Sequence, residues 1–210
     1  MPLTDTTEDA RLLTEMRHGD STALAALYRR HRGPLFRFAL LRCGSADTAA
    51  DIVQEVFLAL LTDKLRFDPA RGALQGFLIG VARNLLLKRD DAQRRYVANI
   101  DRGDEGDPGD LLVDPAPGPM ARMLANQQAE RVRVGLQQLA PHYREVVILY
   151  EMHDLSYVEI ADICHIDIGT VRSRLSRARA RLAQLLADEA MPTATDNSQQ
   201  SHPYRQEARL

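Results

Sequence analysis

The chain changes composition once, abruptly, and that break decides what can fold. Residues 101–119, DRGDEGDPGDLLVDPAPGP, carry six acids against one arginine and are interrupted throughout by glycine and proline. Such a stretch buries too little apolar surface to offset the entropy of ordering it, so 98–121 reads as a flexible acidic linker. Folding is then confined to two regions, 8–97 and 122–188, and the polar tail 189–210 reads as disordered. Roughly twenty flexible residues span about 25 Å on average. The two regions are therefore expected to move independently unless an apolar interface or an inhibitor joins them.

Both regions read as helical, giving an all-α fold of two small domains. Tryptophan is absent and aromatics are only 5% of the chain, so the cores must be built from Leu, Val, Ile and Ala. No run alternates convincingly with period two, so strands are not expected. Thr6 or Thr7 is placed to cap a first helix with Leu12, Leu13 and Met16 inward, stopping at Gly19. Asp20 or Ser21 opens a longer one with Leu24, Leu27, Tyr28, Leu35 and Phe38 inward and a kink expected at Pro34. Ser45 or Asp47 opens a third, with Ala49, Ile52, Val53, Val56, Phe57, Leu60 and Leu61 on one side. After the loop TDKLRFDPARG, a fourth runs from about Ala73 to Arg95. Beyond the linker, Asn126 to Leu139 is one helix, and Pro141 sits at the first position of another ending near His153.

Residues 156–183 carry the sharpest functional signal. Val171, Leu175, Ala178 and Leu182 share one helical face. At about 100° per residue, Arg174, Arg177 and Arg181 fall opposite, with Arg172 and Arg179 at a flank. The helix before it, from about Ser156 to Cys164, offers small Ala161 where two helices must cross. His165 stands in the turn where the backbone needs a positive φ, and Ile166 would plug the gap behind it. The unit reads as a helix-turn-helix whose second helix suits the DNA major groove, with arginines for phosphates and base edges. A second basic surface lies between Arg71 and Arg95, six cations against Asp90 and Asp91. There Arg83, Asn84 and Lys88 are expected to project away from the apolar face, with Asn84 able to read a base edge.

The segments ADIVQEVFLALL, GFLIGVARNLLLKR and GTVRSRLSRARARL, in that order, resemble bacterial RNA polymerase sigma factors of the extracytoplasmic-function (ECF) group. The resemblance covers 8–97 as region 2 and 122–187 as region 4. It implies that the helix matching 48–61 docks on core RNA polymerase through Asp51, Gln54 and Glu55. It implies that Arg83, Asn84, Lys88 and Arg89 take the minus-ten element of promoter DNA, including a flipped base. It further implies that Thr170, Arg172, Ser173, Arg174 and Arg177 read the minus-thirty-five element, and that an anti-sigma factor is a common inhibitor of such chains. Three positions depart from the family's usual residues: Ala50 where an acid often stands, Phe77 for tryptophan and His165 for the turn glycine.

Other chemistry finds little support. Net charge is −2, so nucleic-acid binding must come from local patches. Cys43 and Cys164 are the two cysteines, far apart, which fits a reducing cytoplasm without a disulfide framework. The His153, Cys164 and His165 spacing fits no metal-ligand pattern, and no glycine loop for phosphates is present. Asp51 and Glu55 sit at i and i+4, but without a pocket they are no acid–base pair. No cofactor, no catalytic residue and no membrane insertion are expected. The competing readings are a dimeric helix-turn-helix transcriptional regulator and, more remotely, a helical adaptor.

Overall fold

In the computed structural model, residues 3–99 and 119–188 are described, with side chains over 6–95 and 128–187. Residues 100–118, nearly all of the acidic stretch, and the tail from 189 onward lie outside the described residues. The described residues form eight α-helices in order: α1 Leu3–Arg17, α2 Ser21–Cys43, α3 Ala46–Leu61, α4 Leu74–Asn99, α5 Pro119–Gln138, α6 Pro141–Val147, α7 Tyr157–Cys164 and α8 Ile168–Asp188. A single 3-10 turn, Pro69–Arg71, precedes α4, and α6 runs on as a π-helical turn, Ile148–Met152. The described residues contain no strand.

Helix ends are set by local chemistry. Asp20 accepts hydrogen bonds from the Thr22 and Ala23 amides and starts α2. Ser45 does the same for α3 through the Thr48 amide. Each such cap stabilises by about 1 kcal/mol. Helix α2 stops at Gly44, which takes a φ of 77° that few side chains tolerate. Helix α1 begins at Leu3, ahead of the threonines expected to cap it. Helix α2 continues through Pro34.

The N-terminal unit packs α1, α3 and α4 around α2. Leu27, Leu35, Phe38, Ile52, Val56, Leu60, Leu78 and Leu86 are fully enclosed. Two expected core residues are not enclosed: Tyr28 and Leu61 remain exposed, although Tyr28 still packs edge-on against Phe57 at 4.9 Å. Asp9 is buried beneath α2, 2.6 Å from Arg30 and 3.0 Å from His31. The C-terminal unit packs α8 across α6 and α7 through Val171, Leu175, Ala178 and Leu185.

The two units do not lie apart. Helix α4 packs against α7, and α2 touches α5, α6 and the π-helical turn. Phe38 of α2 meets the His153 ring edge-on at 6.0 Å. This is the apolar interface that a closed arrangement requires. Composition hid it, because its residues are drawn from helix faces that also serve each unit's own core. Two glycines of α4 lie at it: a Cβ on Gly76 would meet Leu155 at 3.9 Å and one on Gly80 would meet Ile163 at 3.9 Å, both ordinary van der Waals contacts.

His153 sits in this interface, 7% exposed. Burial, reinforced by the nearby Arg37 guanidinium, pushes its pKa down from 6.5 to about 4. The folded chain therefore binds this proton less readily than the unfolded chain, and the stability present above the unfolded pKa of 6.5 is lost as pH falls toward 4. The loss amounts to about 3 kcal/mol at most. Thermal melting followed by circular dichroism should show Tm falling across this window. His153→Leu should flatten that part of the profile, and an unchanged slope in the variant would place the dependence elsewhere.

Candidate nucleic-acid and polymerase interfaces

The helix-turn-helix is built as its sequence requires. Ser156 and Glu159 form a reciprocal capping box at the start of α7. His165 ends α7 at φ 55°, ψ 49°, the left-handed conformation expected of the turn. Ile166 packs partly buried against the core behind it. Along α8, Val171, Leu175 and Ala178 are enclosed, and Arg172, Ser173 and Arg177 are exposed. Thr170 and Arg174 are half-buried, and Ser173 donates to the Thr170 carbonyl at 3.0 Å.

The arginines of α8 are not equivalent. Arg179 donates twice to Glu151, at 2.8 and 2.6 Å, and its guanidinium lies over the Tyr150 ring. Arg172 lies over the Tyr157 ring, 5.9 Å from its centre. Arg174 and Arg177 form no ion pair among the described residues. The cations with no carboxylate to surrender are therefore at the face expected to meet DNA, and the flanking ones are pinned back onto the unit.

Helix α4 departs from its expected arrangement. Asn84 and Lys88 are exposed, as their register implies. Arg83 is not: its side chain is 12% exposed, and its Nε lies 3.0 Å from Oε2 of Glu145 in α6. Its position on α4 is the expected one, but the C-terminal unit covers it. Arg89 is half-exposed and bridges back to α3, 3.4 Å from Asp51 and 3.6 Å from Glu55. Asp51, Gln54 and Glu55 form an exposed polar strip beside Leu58 and Leu61, both solvent-exposed. That pairing of Arg89 with the α3 strip joins two faces that the sequence presented as separate.

Beside Arg83 lies a cleft of about 280 Å³ between α4 and α7. Arg66, Arg71 and Asn84 line one side, and Phe67 and Phe77 lie in its wall with ring centres 5.5 Å apart. Phe77 thus keeps the aromatic surface on which a flat base could stack. Glu159, Asp162 and His165 line the other side.

Residues that sequence reasoning did not single out hold the units together. Glu145, 4% exposed, faces both Arg83 and Arg42. Arg42 also reaches Asp90 at 2.9 Å. Arg144 donates to the carbonyl of Arg42 at 2.9 Å, and Gln137 donates to that of Leu41 at 2.9 Å. Carbonyls in the last turn of a helix lack partners within it, so the C-terminal unit caps α2 from outside. A carboxylate and an arginine side by side in an otherwise apolar helix, VVIL following RE, were the available signal. Cys164 lies against Glu145 at 3.7 Å, and burial together with that carboxylate pushes its pKa up to about 12.

Comparison with known proteins fits this layout. Residues 27–96 match the model of Sigma-70 region 2, and residues 129–182 match that of Sigma-70 region 4. The ECF RNA polymerase sigma factor EcfG of Rhodopseudomonas palustris is 34% identical over 71% of this chain and 77% of its own length. The ECF RNA polymerase sigma factor SigE of Mycolicibacterium smegmatis is 31% identical over 84% of this chain and 67% of its own. This chain belongs to the ECF group of sigma factors. Its fold resembles that of the sigma factor RpoE from Bartonella quintana, solved in complex with the anti-sigma factor NepR, with a TM-score of 0.63 and 25% identity over 78% of this chain and 96% of that one. As an ECF sigma factor it binds core RNA polymerase and directs promoter recognition. No helix among the described residues is long and apolar enough to cross a membrane.

The inequality among the α8 arginines can be measured. Arg177→Ala should weaken binding to an upstream promoter element by about 1–3 kcal/mol if it reads a base, and should flatten the salt dependence if it holds phosphate. Arg179→Ala should cost less, because Glu151 already neutralises that cation. Equal losses in the two variants, measured over a range of salt, would refute the distinction.

Proposed function

We propose that this sigma factor distributes its work over three faces. The strip Asp51, Gln54 and Glu55 on α3, with Leu58 and Leu61 beside it, docks on core polymerase. The face of α4 carrying Arg83, Asn84, Lys88 and Arg89 takes the opened minus-ten strand, and the cleft lined by Phe67, Phe77 and Asn84 receives an extruded base. Helix α8 reads the minus-thirty-five element through Thr170, Arg172, Ser173, Arg174 and Arg177. The polymerase performs the chemistry and this chain supplies none of it, working beside the polymerase in the cytoplasm. The observation that carries this reading is the match to two sigma regions in their proper order, each contributing one cationic helix. That order also favours it over a dimeric regulator, which needs only the second region.

The inhibitor follows from likeness. A relative of similar fold is solved with an anti-sigma factor, and the similarity runs over 78% of this chain. An anti-sigma factor that holds this chain inactive is the corresponding reading.

Run-off transcription with core polymerase is the direct test, and activity that depends on both proteins is the expected result. Asp51→Arg should weaken core binding by about 2 kcal/mol or more while the helical circular dichroism stays intact, because the residue is exposed. A variant that binds core as well as the parent chain shows that the docking face lies elsewhere.

A further inference from the structure

Two tyrosine rings lie against the recognition helix, and neither belongs to the three faces assigned above. Tyr150 sits in the π-helical turn, and Tyr157 is the first residue of α7. Their ring centres are 5.3 Å apart, with the planes tilted by 35°. Each ring carries one arginine of α8: Arg172 lies over Tyr157 at 5.9 Å, and Arg179 lies over Tyr150 at 5.0 Å. These two arginines are separated by nearly two helical turns, so they project from the same side of α8. The result is a continuous stack along that side, Arg172–Tyr157–Tyr150–Arg179.

The two arginines are held in different ways. Arg179 spends donors on Glu151, at 2.8 and 2.6 Å, which fixes the far end of the stack. Arg172 donates no hydrogen bond and forms no ion pair among the described residues. Its attraction to Tyr157 acts through the negative face of the ring and leaves its N–H groups unused. An arginine held by a carboxylate must surrender that partner before it meets DNA. An arginine held over a ring keeps its donors for a phosphate or a base edge, and its long side chain is already oriented. Tyr157 is itself fixed in place. The capping box of Ser156 and Glu159 sets the first turn of α7, and the ring packs partly buried against the core.

We propose that Tyr157 is a positioning residue for promoter recognition, its ring presenting the Arg172 guanidinium to the upstream element in one orientation, with Tyr150 and the Arg179–Glu151 pair as the support behind it. The inference rests on the assignment of α8 to the minus-thirty-five element and names what aims one of its cations. It gives Arg179 a task although Glu151 neutralises its charge: it holds the far ring. Tyr157 acts through Arg172 and not by touching DNA.

The test uses holoenzyme reconstituted from core polymerase and the full chain, with a duplex promoter selected from a random library by the parent holoenzyme. Tyr157→Leu removes the ring face and keeps apolar bulk for packing. It should weaken binding to the selected promoter by about two- to five-fold, the change that corresponds to an exposed cation–π contact. Tyr157→Phe keeps the ring and should bind like the parent chain. In an Arg172→Ala background, Tyr157→Leu should weaken binding no further, because the side chain it positions is gone. Equal losses from Tyr157→Leu with and without Arg172 would show that the ring only supports the fold, and would overturn the proposal. A loss in Tyr157→Phe as large as in Tyr157→Leu would assign the effect to the hydroxyl and overturn it too, as would an Arg172→Ala holoenzyme that binds as well as the parent. Those three outcomes leave the sigma-factor reading intact. A parent holoenzyme that selects no promoter at all would instead sink that reading, and the proposal with it.

Discussion

A single carboxylate and its neighbouring guanidinium hold this molecule in its observed shape. Glu145 and Arg144 are adjacent on α6, yet they face different tasks. Glu145 neutralises two arginines from α2 and α4, and Arg144 caps the open carbonyl end of α2. Burial pushes the Arg144 pKa down, aided by repulsion from Arg42, and the carbonyls of Leu136, Gln137 and Leu139 compensate by accepting hydrogen bonds from its guanidinium. Removing one member of such a cluster leaves charge stranded in low dielectric, at a cost of about 3–5 kcal/mol. Apolar contacts accompany it: Phe38 on His153, Gly76 beside Leu155, and Gly80 beside Ile163 of α7.

The individual helices were legible because their signals are local. Capping residues at Asp20, Ser45 and Ser156, glycine at the end of α2 and the four-three-four spacing on α8 each act within a turn or two. His165 was legible for the same reason, since positive φ is a property of one residue. The α3 strip and the exposed face of α8 follow directly from helical register. The seam between the units was not legible. Gly76, Gly80, Leu155 and Ile163 carry no mark that distinguishes an interface from a core. Arg83 shows the consequence: its register was read correctly, but its exposure depends on Glu145, a carboxylate far along the chain. Tyr28 and Leu61 fail in the opposite sense, because an amphipathic stripe is wider than the neighbour that covers it.

The arginines expected to meet DNA therefore fall into different energetic classes although their residue type is the same. Arg177 is exposed and has no ion pair among the described residues, so its guanidinium gives up only water on meeting a phosphate. Arg89 is shared with Asp51 and Glu55 in a half-exposed pairing, and solvent screens such pairs to about 0–1 kcal/mol. It is held, but loosely. Arg83 is enclosed with its counter-charge, and its release requires that whole helices separate. Availability thus decreases from α8, through the α3–α4 edge, to the seam. Arg177 is accessible in the observed arrangement, whereas Arg83 is covered by its counter-charge.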